Sequence, residues 1–184
     1  MTGRKITALM IVLAAVFFWL ESEAGASSMK TLSTATASPG TLDDVAAFDE
    51  EVTCLALNIY FEARSEPVDG MLAVGHVVMN RVANRGFPNS ICNVIRQGGE
   101  VARHRCQFSW WCDGRSDQPR NPVAWDAARL VAWFIYNGLT EDPTRGALWY
   151  HAEYVAPYWR EAFHRGPQIG RHIFYRVSGK NSAT

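Results

Sequence analysis

Neither sign of charge predominates in this sequence: Lys and Arg number 18, and so do Asp and Glu, in 184 residues. Without a basic surplus there is no footprint of a nucleic-acid binder, and without an acidic run there is no solvating tail. No internal repeat is visible, which sets aside repeat architectures. The Cys-x-x-Cys spacing of common structural zinc sites is missing, and so is His-Glu-x-x-His. Long apolar runs are also missing. The uncharged stretch from Ile6 to Leu20 stops at about 15 residues, short of the ~20 that a spanning helix needs.

That stretch reads instead as an export signal. Arg4 and Lys5 precede it, and Ala24-Gly25-Ala26 offers small residues where a signal peptidase cuts. A signal peptide over 1–26 and a periplasmic or secreted location are expected, with no membrane span after cleavage. Residues 27–41, rich in Ser, Thr, Ala and Gly, read as a flexible linker. A single domain over 42–178 and a short tail over 179–184 complete the division, since this length suits one domain and 48% hydrophobic residues suffice for a core. Export also favours disulfides among Cys54, Cys92, Cys106 and Cys112. Three connectivities are open. A short staple from Cys106 to Cys112, with Cys54 joined to Cys92 between two helices, is the pairing we favour.

Order begins near Leu42. Asp43 or Asp44 can cap a helix whose apolar positions include Val52, Leu55, Ala56 and Ile59, and Pro67 prevents its continuation. A second helix is expected from Met71 to Val82 and a shorter one from Pro88 to Arg96. Asn121-Pro122 opens a fourth that runs to Gly138. Ala147–His151 and His172–Arg176 read as extended, with a short helix starting at Pro157. The fold class is α+β, mainly α, with a small β element near the C-terminal end.

The first helix carries a possible acid. Cleaving a glycosidic bond takes a carboxylic acid that stays protonated near neutral pH, which partial burial achieves by penalising the charged form. Glu62 follows Phe61, lies one turn beyond Ile59, and sits near a helix C-terminus that disfavours negative charge. Glu66, one turn further on, is a possible second carboxylate whose repulsion would raise one pKa further. An arbitrary helical glutamate is more often a surface residue, so the context must decide.

The surrounding motifs supply that context. Tyr60-Phe61-Glu62-Ala63-Arg64-Ser65-Glu66-Pro67 precedes Val78-Met79-Asn80-Arg81-Val82, then Phe87-Pro88-Asn89-Ser90-Ile91-Cys92. Cys106-Gln107-Phe108-Ser109-Trp110, Gly146-Ala147-Leu148-Trp149-Tyr150-His151 and Ile169-Gly170-Arg171-His172-Ile173-Phe174-Tyr175 follow in order. Taken together, Cys54 to Arg176 resembles the SleB/CwlJ-type bacterial cell-wall hydrolases. The resemblance implies a lysozyme-like domain and activity on the peptidoglycan glycan strand. It implies a lytic transglycosylase mechanism with Glu62, in the Glu-Ala-Arg motif, as the catalytic acid. Phe61 departs from the family, standing where spore enzymes commonly have glycine. The Cys106–Cys112 segment is closer to Gram-negative and phage-associated members, so a role in germination is not implied.

Other residues are candidates for substrate binding. Gln107 and Ser109 sit in the short cysteine loop and can hydrogen-bond sugar hydroxyls. Tyr150 can orient the substrate or Glu62, and His151 follows it. Trp110 is singled out among the aromatics for stacking on a sugar face. The expected partner is peptidoglycan, with no nucleic acid, no cofactor, no metal and no protein partner assigned. Three rival readings stand beside this one. A hydrolytic muramidase would pair Glu62 with Glu66, Asp113 or Asp117. A glycan-binding module would not turn over at all. A metal-dependent amidase would draw on His76, His104, His151, His164 and His172.

Overall fold

The computed structural model describes residues 42–98 and 105–177. The expected signal (1–26), linker (27–41), tail (179–184) and His104 lie outside the described residues. Among the described residues no helix is long and apolar enough to cross a membrane.

The longest helix, α1 (Leu42–Ala63), forms the spine of the domain. Leu55, Ala56 and Ile59 recur at helical spacing and are fully buried. Its end comes where expected, with Pro67 a few residues on. Pro67 then stands at the N-cap of α2 (Val68–Val82), which starts three residues earlier than its apolar stripe suggested. Val74, Val77 and Val78 of that stripe are fully buried. Gly75 permits a close approach here: a β-carbon would stand 2.5 Å from Ile135 Cδ1 and 3.0 Å from Ile59 Cδ1, so those side chains would have to shift. This is where α2 meets both α1 and α4.

The third helix, α3 (Ile91–Arg96), is shorter than expected because the Ser90 side chain caps it by accepting from the Asn93 N–H. Asn121 caps α4 (Pro122–Tyr136) in the same way, accepting from Ala124 N–H, with Pro122 in the first turn. The Tyr60 hydroxyl accepts the main-chain N–H groups of Arg120 and Asn121 at 3.0 Å each, which fixes the start of α4 against α1.

Both disulfides form in the favoured pairing. Cys54–Cys92 ties α1 to α3, and Cys106–Cys112 closes the short loop. Within that loop Ser109–Cys112 makes a single 3₁₀ turn.

Three antiparallel strands form the β element, in the order β1-β3-β2. They are β1 (Trp149–Ala152), β2 (His164–Ile169) and β3 (His172–Arg176), and a 3₁₀ turn at Tyr158–Ala162 precedes β2. The pairing sets Tyr150 opposite Phe174 and His151 opposite Ile173. Strand β2 was not foreseen. Its sequence, His-Arg-Gly-Pro-Gln-Ile, has no apolar alternation, and its register with β3 breaks between Arg165 and Gln168. An edge strand tolerates this, because Pro167 needs no ladder partner there.

Candidate active site

Glu62 is the penultimate residue of α1 and projects at the seam between the helices and the sheet. The Tyr150 hydroxyl, from β1, donates to its Oε2 at 3.1 Å. Burial raises the Glu62 pKa above the usual glutamate range; the Tyr150 bond and the Arg81 charge pull it down, and burial wins. Tyr150 is itself held well above the ordinary tyrosine value, chiefly by burial and then by Glu62. Its hydroxyl therefore remains a neutral donor. With Oε2 occupied, Oε1 is left to carry a transferable proton.

Arg81, which lines the same site as Glu62, was not singled out from the sequence. It is 2% exposed, and its Nε donates to the Leu148 carbonyl at 2.8 Å. Its guanidinium lies between the rings of Phe87 and Phe108, at 5.4 and 5.2 Å. The Gln107 amide, oriented with its oxygen toward Arg81, accepts from both terminal nitrogens at 3.2 Å each. Burial lowers the Arg81 pKa to about 10, against the opposing pull of Tyr150 and Glu62. It stays charged at neutral pH. The available signal was an arginine beside Asn80 in the mostly apolar helical run Val77-Val78-Met79-Asn80-Arg81-Val82; a buried arginine needs partners and a reason.

A cavity of about 200 Å³ brings these groups together, lined by Glu62, Arg81, Cys106, Gln107, Phe108, Ser109 and Tyr150. Gln107, Ser109 and Tyr150 thus converge on Glu62 from two segments distant in sequence.

Trp110 and His151 do not join them. Trp110 is buried in the core, stacked on Phe61 at 4.8 Å, and its indole N–H donates to Asn58 at 3.1 Å. The expectation of a sugar platform in this cavity is corrected: the disulfide loop folds its tryptophan inward, where the ring gains most from burial. His151 points away from Tyr150 because neighbouring strand residues face opposite sides. A carbonyl can only accept, so its Nδ1 donates to Ala152 at 2.8 Å and its Nε2 accepts from the Tyr175 hydroxyl at 2.9 Å. It is a structural histidine.

Glu66 has a different use from the one considered. One oxygen accepts the Arg171 main-chain N–H and the other its Nε, both at 2.9 Å. Burial would raise its pKa, but these two bonds, with the charges of His172 and Arg171, lower it overall. Glu66 is a carboxylate that fastens the β2–β3 turn to the end of α1. Gly170 in that turn has φ +57°, and a β-carbon there would collide with the Glu66 carboxylate. Asp113 and Asp117 line a separate cavity on the far side of Phe61. Among the described residues, Glu62 is thus the one carboxylate lining its own cavity.

The one group of potential metal ligands close enough together among the described residues is Glu50, Cys54 and Cys92, whose two sulfurs are bonded to each other. His76 is instead paired with Thr140 at 3.0 Å.

A helical lobe facing a small antiparallel sheet, with an acid at the end of the spine helix between them, is the lysozyme-like arrangement. Residues 65–175, beginning just past Glu62, match the Cell Wall Hydrolase family, and the chain belongs to that family. It is 30% identical to a spore cortex-lytic enzyme of Bacillus subtilis over 68% of this chain and 37% of that protein. A Bacillus cereus spore cortex-lytic enzyme is also 30% identical, over 67% of this chain and 43% of that protein. The chain therefore spans about two-fifths of the length of these relatives. Among solved structures, it is similar to the catalytic domain of the Bacillus cereus SleB protein, with TM-score 0.51 and 28% identity, covering 70% of this chain and 91% of that one. It is also similar to the catalytic domain of the germination-specific lytic transglycosylase SleB from Bacillus anthracis, with TM-score 0.53 and 31% identity, covering 68% and 93%.

Proposed function

We propose that this protein is an exported peptidoglycan lytic transglycosylase that cleaves the bond between N-acetylmuramic acid and N-acetylglucosamine with Glu62 as its acid. The observation that carries the reading is Glu62 itself, a carboxylic acid with raised pKa, one oxygen held by Tyr150, in a cavity with no second carboxylate among the described residues. Family membership supports the substrate class. The two disulfides support passage through an oxidising compartment. Residues 42–178 form the catalytic domain in this reading.

Protonated Glu62 gives its proton to the glycosidic oxygen as the bond breaks. The N-acetyl group of the muramic acid stabilises the electron-poor anomeric carbon. The glutamate, held by Tyr150 and close to the Arg81 charge, then takes the proton from the sugar's own 6-hydroxyl, which closes a 1,6-anhydro ring. No water enters, so no second carboxylate is needed to activate one. Gln107 and Ser109 line the cavity where sugar hydroxyls would lie.

The test is mass spectrometry of fragments released from purified peptidoglycan. Anhydro-muramyl ends are the expected products, and fragments heavier by one water would establish a muramidase instead. Freed peptides on intact glycan would overturn glycan cleavage altogether. Glu62→Gln should lower turnover by about 10²- to 10⁴-fold while keeping affinity for the wall. A wild-type protein that binds the wall without releasing any fragment would be a binding module.

A further inference from the structure

A second and larger cavity, about 590 Å³, is lined by Asn80, Ala83, Asn84, Gly146, Leu148, His164, Arg176 and Val177. We propose that it binds a carboxylate of the peptide carried by the muramic acid, so that the enzyme reads peptide-bearing glycan; this rests on the glycan-cleaving function proposed above.

The chemistry of the lining points to an anion. Arg176 makes one long contact, Nη1 to the Arg145 carbonyl at 3.4 Å. Among the described residues its buried Nε has no hydrogen-bond partner, although an arginine presents donors only. His164 is exposed at the start of β2 and adds a second nitrogen group. Asn84 has its carbonyl oxygen held by the Gly86 N–H at 2.9 Å, which leaves its NH₂ as the free end.

Among the described residues no carboxylate lines the cavity. Nearby Asp142 is already saturated by the main-chain N–H groups of Thr144 and Gly146, by the Thr144 hydroxyl and by Asn80. These bonds lower its pKa against the effect of burial. A cavity lined by an arginine, a histidine and an amide whose NH₂ is free is complementary to a carboxylate.

Its location fits a group attached to the sugar at Glu62. The linings of the two cavities are neighbours in the chain: Asn80 lines one and Arg81 the other, and the Arg81 Nε donates to the Leu148 carbonyl. Leu148 lines the large cavity and Tyr150 the small one. Residues two apart in an extended chain are separated by about 7 Å. Two or three amino acids carried by a muramic acid at Glu62, each spanning about 3.3 Å, cover a comparable length. Sugar rings carry no charge to satisfy Arg176, whereas wall peptides carry carboxylates.

The test measures KM and kcat of the full chain on two substrates, peptide-bearing glycan and glycan stripped by an amidase. The stripped glycan keeps only the lactyl carboxylate on the sugar. Asn84→Asp retains the acceptor for Gly86 and places a like charge in the cavity, and Arg176→Gln removes the cation. Each should raise KM on the peptide-bearing substrate by about tenfold, leaving kcat and the stripped substrate unaffected. Equal effects on both substrates, or none on either, would overturn the peptide site while leaving Glu62 chemistry intact. Should Arg176→Gln fold poorly, Asn84→Asp alone decides between these outcomes. A wild-type protein that cleaves neither substrate would refute the glycan-cleaving function, and this inference with it.

Discussion

At the scale of single residues, the environment of Glu62 contains opposing effects that mutation can separate. Burial raises its pKa, while Tyr150 and Arg81 lower it. As the proposed general acid it must be protonated, so kcat should fall as pH rises through its folded value. Tyr150→Phe removes a bond that favours the carboxylate. The alkaline limb of the pH–kcat profile should therefore move to higher pH, even as the maximum falls. A limb that stays in place would show that Glu62 does not set it. The same group also acts on stability. A folded-state pKa above the unfolded value gives stability that is fully present below the unfolded value and is lost as pH rises through the folded one. Glu62 thus favours folding in acid and weakens it at neutral pH, a cost consistent with a functional group.

At the scale of elements, sheet and helices share a core through Phe174 and are further joined by side-chain hydrogen bonds. Glu66 bonds the Arg171 turn, Arg81 holds Leu148, Asn80 holds the Ala147 carbonyl, and Tyr150 meets Glu62. Glu66 has a lowered pKa, so its stabilisation is present above the ordinary value of about 4.3 and is lost as pH falls through the folded value. Glu66→Gln should cost about 1 kcal/mol in urea unfolding at pH 7, with the difference closing in acid. Turnover should stay within a few-fold; a loss comparable to that of Glu62→Gln would restore Glu66 as a second catalytic carboxylate. The disulfides differ in the length of chain they close, separations of 38 and 6 residues. On loop entropy, replacing Cys54 and Cys92 together by Ala should cost about 4 kcal/mol, and the same for Cys106 and Cys112 about 2. Denaturant midpoints of the two double variants, compared with the parent, check the order.

At the scale of the whole molecule, the domain is proposed to fold without what surrounds it in sequence. A fragment of residues 42–178 should melt within a few degrees of the full chain and release the same fragments from peptidoglycan; a fragment that fails to fold would show that the division is misplaced. Much of this organisation was legible beforehand because it depends on local rules. The apolar spacing of Leu55, Ala56 and Ile59, the Asn121-Pro122 start of α4 and the extended run at Ile173-Phe174-Tyr175 each follow from side chains within a few residues. Strand β2 was not legible, since Gly166 and Pro167 hide an edge whose pairing comes entirely from β3. The site divides along the same line. From sequence alone came Glu62 at the end of an amphipathic helix, the family motifs around it, and Gln107, Ser109 and Tyr150 as its companions. Tertiary structure alone decided that Trp110 turns inward, that His151 faces the far side of the sheet, that Glu66 holds a turn, and that Arg81 stands beside the acid. Those outcomes depend on which face of each element meets which neighbour, and that is set by contacts between residues far apart in the chain.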